Sequence, residues 1–165
     1  MRAQDVAEVL TALHHAGVQV WVDGGWGVDA LVGAESRAHK DLDLIVRLSD
    51  AETVFILLQA RGFSLVAGAP PAAALYHDDA GRGVDIRAMV FDGDGRGVYR
   101  TADEEVVFPG AWFDGCGTIA EMTVRCLTAE AQMVAHTGYA PTDKDAHDVR
   151  LLHNRFDLPL PPEYQ

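Results

Sequence analysis

The segment Asp41-Leu42-Asp43-Leu44-Ile45-Val46-Arg47 opens on two carboxylates and continues as an apolar run. Its length and composition predict a strand over 41–47. Side chains on a strand alternate faces, so Asp41 and Asp43 point one way while Leu42 and Leu44 point into the core. The rise per residue puts the two α-carbons ~6.5–7 Å apart, and both carboxylates can then converge on one hard cation. Asp is depleted in strands, and two carboxylates side by side repel unless something positive sits between them. Mg²⁺, which takes one or two carboxylates plus substrate phosphates, meets that need. The alternative is the solvated face of an edge strand, and the pair alone does not separate the two.

The neighbouring segments supply the frame. Val6, Val9, Leu10 and Leu13 predict a helix over 5–16, stopped at Gly17. A strand over 18–23 ends at Gly24-Gly25, a short helix over 26–32 closes at Gly33, and a polar, partly basic segment fills 34–40. After strand 41–47, Asp50 is placed to cap a helix over 51–61. Strands are expected at 63–67, 73–77, 84–91 and 97–100, with shorter ones at 105–108 and within 117–126. Helices are expected at 128–137 and 143–154. This order predicts an α+β fold with a mixed, mostly antiparallel sheet flanked by helices. No segment of the 165 residues resembles a linker, so a single domain over 1–165 is expected.

Gly24-Gly25 sits between a strand and a helix, where glycine permits a sharp turn and a helix N-terminus favours phosphate; a plain tight turn is the simpler alternative. Asp85, in the later strand with Arg87 on its face, is the natural third carboxylate, as a metal ligand and as a base for an attacking hydroxyl. Asp78 and Asp79 precede Gly81 and read as turn residues. Arg37 suits bidentate contact with phosphate oxygens and Lys144 a point charge, against the alternative of solvated surface cations. His39 is expected to bond to Asp41 or Asp43 or to orient its loop, and Asp29 to answer the helix dipole.

The net charge of −12 leaves no basic stripe, which argues against a nucleic-acid partner. Such a charge serves solubility, or draws a cationic small molecule into an acidic cleft. No run approaches the ~20 apolar residues of a membrane span. With two cysteines, Cys116 and Cys126, and no signal-like N-terminus, a reducing, cytoplasmic location is expected.

Taken together, Gly24-Gly25, Asp41-Leu42-Asp43 and Val84-Asp85-Ile86 resemble the signature of the nucleotidyltransferase superfamily that includes DNA polymerase beta. Asp23-Gly24-Gly25-Trp26-Gly27-Val28-Asp29, followed by Arg37, His39 and Asp41-Leu42-Asp43, is similar to the small lincosamide nucleotidyltransferases and related aminoglycoside adenylyltransferases. His136-Thr137-Gly138-Tyr139 through Lys144-Asp145 and Asp148-Val149 extends the likeness over nearly the whole chain. The spacing of the glycine pair from Asp41, lengthened by 34–40, also matches that narrower group.

The resemblance implies Mg²⁺ on Asp41, Asp43 and Asp85, nucleotide phosphates on Gly24 and Gly25, beside the candidate cations Arg37 and Lys144, and Asp85 as ligand or base. It implies transfer of a nucleoside monophosphate, AMP from ATP, to a hydroxyl of a small molecule such as a lincosamide or aminoglycoside. It also implies a homodimer, in which a partner completes the pocket wall of a short chain. Two rivals are a nucleotidyltransferase that modifies a protein, as in toxin–antitoxin systems, and a non-catalytic nucleotide-binding module.

Other patterns lead elsewhere. Asp92-Gly93-Asp94-Gly95-Arg96-Gly97, with Asp103 beyond, invites a calcium loop, but Arg96 stands where an oxygen ligand is needed, so a hairpin turn is expected. The histidines lack zinc-protease spacing, and there is no Walker-type loop or Gly-x-Ser-x-Gly elbow. Trp21, Trp26 and Trp112 read as core or pocket wall.

Overall fold

The computed structural model describes residues 1–102 and 105–165; Asp103 of the calcium-loop pattern lies outside them. Helix α1 (Ala3–His15) precedes strand β1 (Val20–Asp23), helix α2 (Gly24–Val32) and strand β2 (Asp41–Arg47). Helix α3 (Ala51–Gln59) leads to β3 (Ser64–Ala69), β4 (Ala73–His77), β5 (Gly83–Phe91), β6 (Gly97–Arg100) and β7 (Glu105–Phe108). The hairpin β8 (Gly115–Ile119) and β9 (Met122–Cys126) follows, then α4 (Ala129–Ala135) and α5 (Asp143–Phe156).

The main sheet runs β3-β4-β5-β2-β1-β9-β8, with β6 and β7 continuing from β5. Described pairings are antiparallel except β2 with β5 and β1 with β9, so the mostly antiparallel α+β expectation holds. β2 lies at the centre, which explains its apolar run: strands buried on both faces lose the polar alternation. Leu44 and Val46 pack with Val6, Leu10 and Leu13 of α1 and Val54 and Leu58 of α3. Ile45 faces the other side, with Trp21, Met89 and Phe113. A third apolar cluster joins Val28 of α2 to Met133 of α4 and Val149 and Leu152 of α5. Each such side chain contributes on the order of 1.5–3 kcal/mol when fully buried.

Two local expectations are corrected. Asp50 precedes α3, yet its side chain makes no capping hydrogen bond, because Leu48–Asp50 forms a 3-10 turn that feeds the helix directly. Helix α2 begins at Gly24, not after the glycine pair, so Asp29 lies beyond the first turn and is buried. Its carboxylate accepts from Ser36 N (3.1 Å) and Ser36 Oγ (2.5 Å) and pairs with His39 Nε2 (2.6 Å). Asp29 is thus the anchor of segment 34–40 and not a partner of the helix dipole. As expected, Asp78 and Asp92 fold tight turns by accepting backbone N–H groups, and Trp21 and Trp26 are core.

Candidate active site

Strand register does what spacing alone cannot. Asp43 on β2 lies beside Asp85 on parallel β5 and opposite Asp23 on antiparallel β1. Asp41 stands one pleat further along β2, next to Gly83. Four carboxylates therefore gather at one end of the three central strands. All four line a cavity of about 630 Å³ together with Gly24, Gly25, Arg37, Arg87 and Lys144.

Asp23 has no role in the sequence reading, because its place opposite Asp43 depends on the register. Its Oδ1 accepts Gly24 N–H at 2.8 Å and its Oδ2 faces Arg87 Nη1 at 3.4 Å. Arg87, on the face of Asp85, is the cation nearest this row; its guanidinium also lies 5.5 Å from the Tyr99 ring and 5.9 Å from the Phe108 ring.

Burial pushes the Asp43 carboxyl up to about 7, with Asp23, Asp41 and Asp85 adding repulsion and Arg87 opposing it. Burial also raises Asp85; Arg87 pulls it back, while Asp41 and Asp23 push it up. This is the electrostatic state of a site that wants a cation. Among the described residues no trio of His, Cys, Asp or Glu closes into a ready metal cage. The carboxylates form an open-sided row, a donor set suited to Mg²⁺, which leaves positions for phosphates and water.

The glycine pair is required by this crowding. Gly24 has φ +58, and a Cβ there would overlap Asp43 Oδ2. At Gly25 a Cβ would overlap Arg37 Nη2 and lie 2.7 Å from His39 Nδ1. Gly24→Ala should destabilise the fold by about 2 kcal/mol, from left-handed strain plus overlap. Gly33→Ala is the control: φ is +77, but a Cβ there meets nothing within 4 Å, so only the strain of about 1 kcal/mol applies. Denaturant unfolding of both variants checks the difference.

The remaining candidates divide. Segment 34–40 brings Arg37 into the cavity, but Asp148 of α5 holds its guanidinium, so it is not the free cation that the sequence suggested. His39 touches neither Asp41 nor Asp43: with Nε2 donating to Asp29, Nδ1 accepts from Arg37 Nη1 at 3.1 Å, and the ring orients its loop. Lys144 lies in the first turn of α5, where Thr142 caps the helix and Asp145 returns the bond. It is exposed, lines the cavity and pairs with no described residue. Part of the cavity lining is apolar: Tyr99, Val106, Val107, Phe108 and Trp112, with Phe108 and Trp112 edge to face at 5.6 Å. Of these only Trp112 stands out in the sequence, since the others read as ordinary strand residues.

A phosphate-favouring turn beside a carboxylate row has parallels among known proteins. The family model for aminoglycoside-2''-adenylyltransferase matches residues 5–152. The chain belongs to this family. It is also 30% identical over 146 residues to a lincosamide resistance protein of Staphylococcus haemolyticus, covering 87% of this chain and 89% of that protein. The lincomycin-bound crystal structure of the lincosamide antibiotic adenylyltransferase LnuA superposes with TM-score 0.82 and 27% identity, over 90% of this chain and 94% of that one. A crystal structure of ANT(2'')-Ia with adenylyl-2''-tobramycin shares the fold, with TM-score 0.76 and 20% identity over 93% and 88%. This adenylyltransferase-family chain is a nucleotidyltransferase, of a kind that generally works with a divalent metal and a nucleoside triphosphate. None of its described helices is long and apolar enough to cross a membrane.

Proposed function

We propose that this chain, acting over 1–165 as one unit, transfers AMP from ATP to a hydroxyl of a lincosamide-type antibiotic. The observation that carries this is the alignment of Asp43 with Asp85 on adjacent strands, beside the helix that opens at Gly24-Gly25. Asp41 and Asp43, with Asp85 alongside, are the residues that would hold Mg²⁺. When bound, Mg²⁺ neutralises triphosphate charge and the charge developing on the entering and leaving oxygens.

The chain's own residues do the rest. The Gly24 amide is engaged by Asp23, so the amides that follow it at the N-terminus of α2 remain for a phosphate. Arg37 and Lys144 line the same cavity and are the cations for the phosphates. Asp85, whose carboxyl is raised by burial above its ordinary value and is so a stronger base, takes the proton of the acceptor hydroxyl. That oxygen bonds to the α-phosphorus, the bond to the β-phosphate oxygen breaks, and pyrophosphate leaves.

With the nucleotide on the helix side, the acceptor belongs on the β6–β7 side. There an apolar wall adjoins carboxylates, which suits a cationic molecule carrying an alkyl group better than an aminoglycoside that is polar all round. Val107 is 49% exposed on that wall, and a second copy of the chain would complete the enclosure. The free thiols Cys116 and Cys126 suit a cytoplasmic enzyme.

Pyrophosphate release with Mg²⁺ and ATP, across lincosamides and aminoglycosides, tests the reaction and the acceptor together. Release that depends on a lincosamide, with a nucleotidylated product by mass spectrometry, is the expected result. Silence with every drug while ATP still binds would overturn the acceptor assignment. Phe108→Ala should raise the acceptor KM about tenfold with the ATP KM unchanged, as loss of an aromatic contact predicts.

A further inference from the structure

Arg37 and Asp148 are 111 residues apart in sequence, yet they form a two-pronged pair. Arg37 Nε–H donates to Asp148 Oδ1 at 2.8 Å and Nη2–H to Asp148 Oδ2 at 2.6 Å. Nη1 is held at 3.1 Å from His39 Nδ1 and donates to the Ala38 carbonyl at 3.4 Å. The Asp148 side chain is 1% exposed and that of Arg37 19%. His136, just after α4, faces Asp148, Nε2 to Oδ2 at 3.5 Å, and its Nδ1–H donates to the Gln132 carbonyl at 2.7 Å. Burial would raise the Asp148 carboxyl, but the bonds from Arg37 and His136 outweigh it and hold it at about 2. The aspartate is therefore charged at neutral pH.

A long arginine side chain ordinarily samples many rotamers, at a cost in entropy whenever it must be ordered. Here that ordering is already done. The guanidinium lies against Gly25, where a Cβ would collide with Nη2. We propose that Asp148 is a positioning residue for the nucleotide: it fixes Arg37 over Gly25, so that the one uncommitted N–H, on Nη2, meets the triphosphate. Helix α5 thereby becomes part of the phosphate site without touching the reacting atoms. This rests on the proposed nucleotide transfer and on Arg37 as a phosphate contact.

Binding of Mg²⁺–ATP, without acceptor, should be measured calorimetrically for Asp148→Asn, Arg37→Gln and the double variant, with melting temperatures recorded alongside. Each single variant should bind about tenfold more weakly, the scale of a charged hydrogen-bond pair. The double variant should bind no more weakly than Arg37→Gln, because Asp148 acts through Arg37. Wild-type affinity in Asp148→Asn beside a weakened Arg37→Gln would overturn the proposal, and so would two losses that simply add. Should Asp148→Asn fail to fold, Arg37→Lys carries the test, since lysine keeps the charge but cannot form the fork. It should bind at least about fivefold more weakly, and wild-type affinity would overturn the proposal. Wild-type affinity in Arg37→Gln would remove Arg37 from the phosphates and overturn the proposal with it. Pyrophosphate silence from a wild-type enzyme that binds ATP would instead fail only the proposed acceptor reaction.

Discussion

Asp43→Asn is expected to cut turnover by about 10³-fold or more, and to raise the melting temperature of the metal-free protein at pH 8. The two effects share one cause. Asp43 is crowded by Asp23, Asp41 and Asp85 in a buried setting, and its carboxyl is pushed from 3.8 up to about 7. Below pH 3.8 folded and unfolded chains both hold the proton, and there is no penalty. Between 3.8 and about 7 the unfolded chain has lost a proton that the folded one keeps, so stability falls as pH rises. Above that window the whole cost applies, on the order of 4 kcal/mol as an upper bound. Asparagine has the same shape and no charge, so it removes this cost together with the metal ligand. Melting scans in EDTA should show the wild type losing several degrees from pH 5 to pH 8 and the variant losing much less. Mg²⁺ should restore the wild type and not the variant. A variant that melts below the wild type in EDTA at pH 8 would contradict the electrostatic account. Full turnover in the variant would contradict the metal assignment.

The second large effect concerns Asp85. Asp85→Asn should lower kcat by about 10²–10⁴-fold, the range for removing a general base, while leaving ATP affinity within about threefold. Because the Asp85 pKa is raised, the wild-type rate should climb with pH as this group gives up its proton. The variant should lose the part of that limb that Asp85 contributes and keep the part that belongs to Asp43. Single-turnover rates across pH 5–9, with ATP binding measured in parallel, separate the two quantities. A variant that loses ATP binding in proportion to its rate would make Asp85 a metal ligand alone.

How far the chain could be read in advance depended on the range of the interactions concerned. Alternation along Asp41–Arg47 is a local property of an extended backbone, and the structure places Leu42 and Leu44 in the core as that pattern requires. The bounds of β4, β6 and β7 were equally legible, because glycines and turn residues mark their ends. Local rules failed where a nearby element changed the context. Asp50 has the right residue type for a cap, but a 3-10 turn already feeds α3. The helix-end reading of Asp29 fails because α2 starts at Gly24, two residues before the position that the glycine pair suggests.

Other features were beyond any local pattern. Asp23 joins the carboxylate row only because β1 runs antiparallel to β2 with Asp23 opposite Asp43; a slip of one residue would turn it to the other face. Asp148 reaches Arg37 only because α5 packs on α2, and the apolar wall exists only because β6–β7 folds beside Arg87. By itself the sequence determined the strand and helix types and singled out Asp41, Asp43 and Asp85 as candidate ligands, since backbone periodicity and side-chain charge are local properties. Tertiary structure alone decided which further carboxylates crowd them, which partner holds Arg37 and which apolar side chains line the cavity. Those depend on register and on packing between distant segments, which no short stretch of chain encodes.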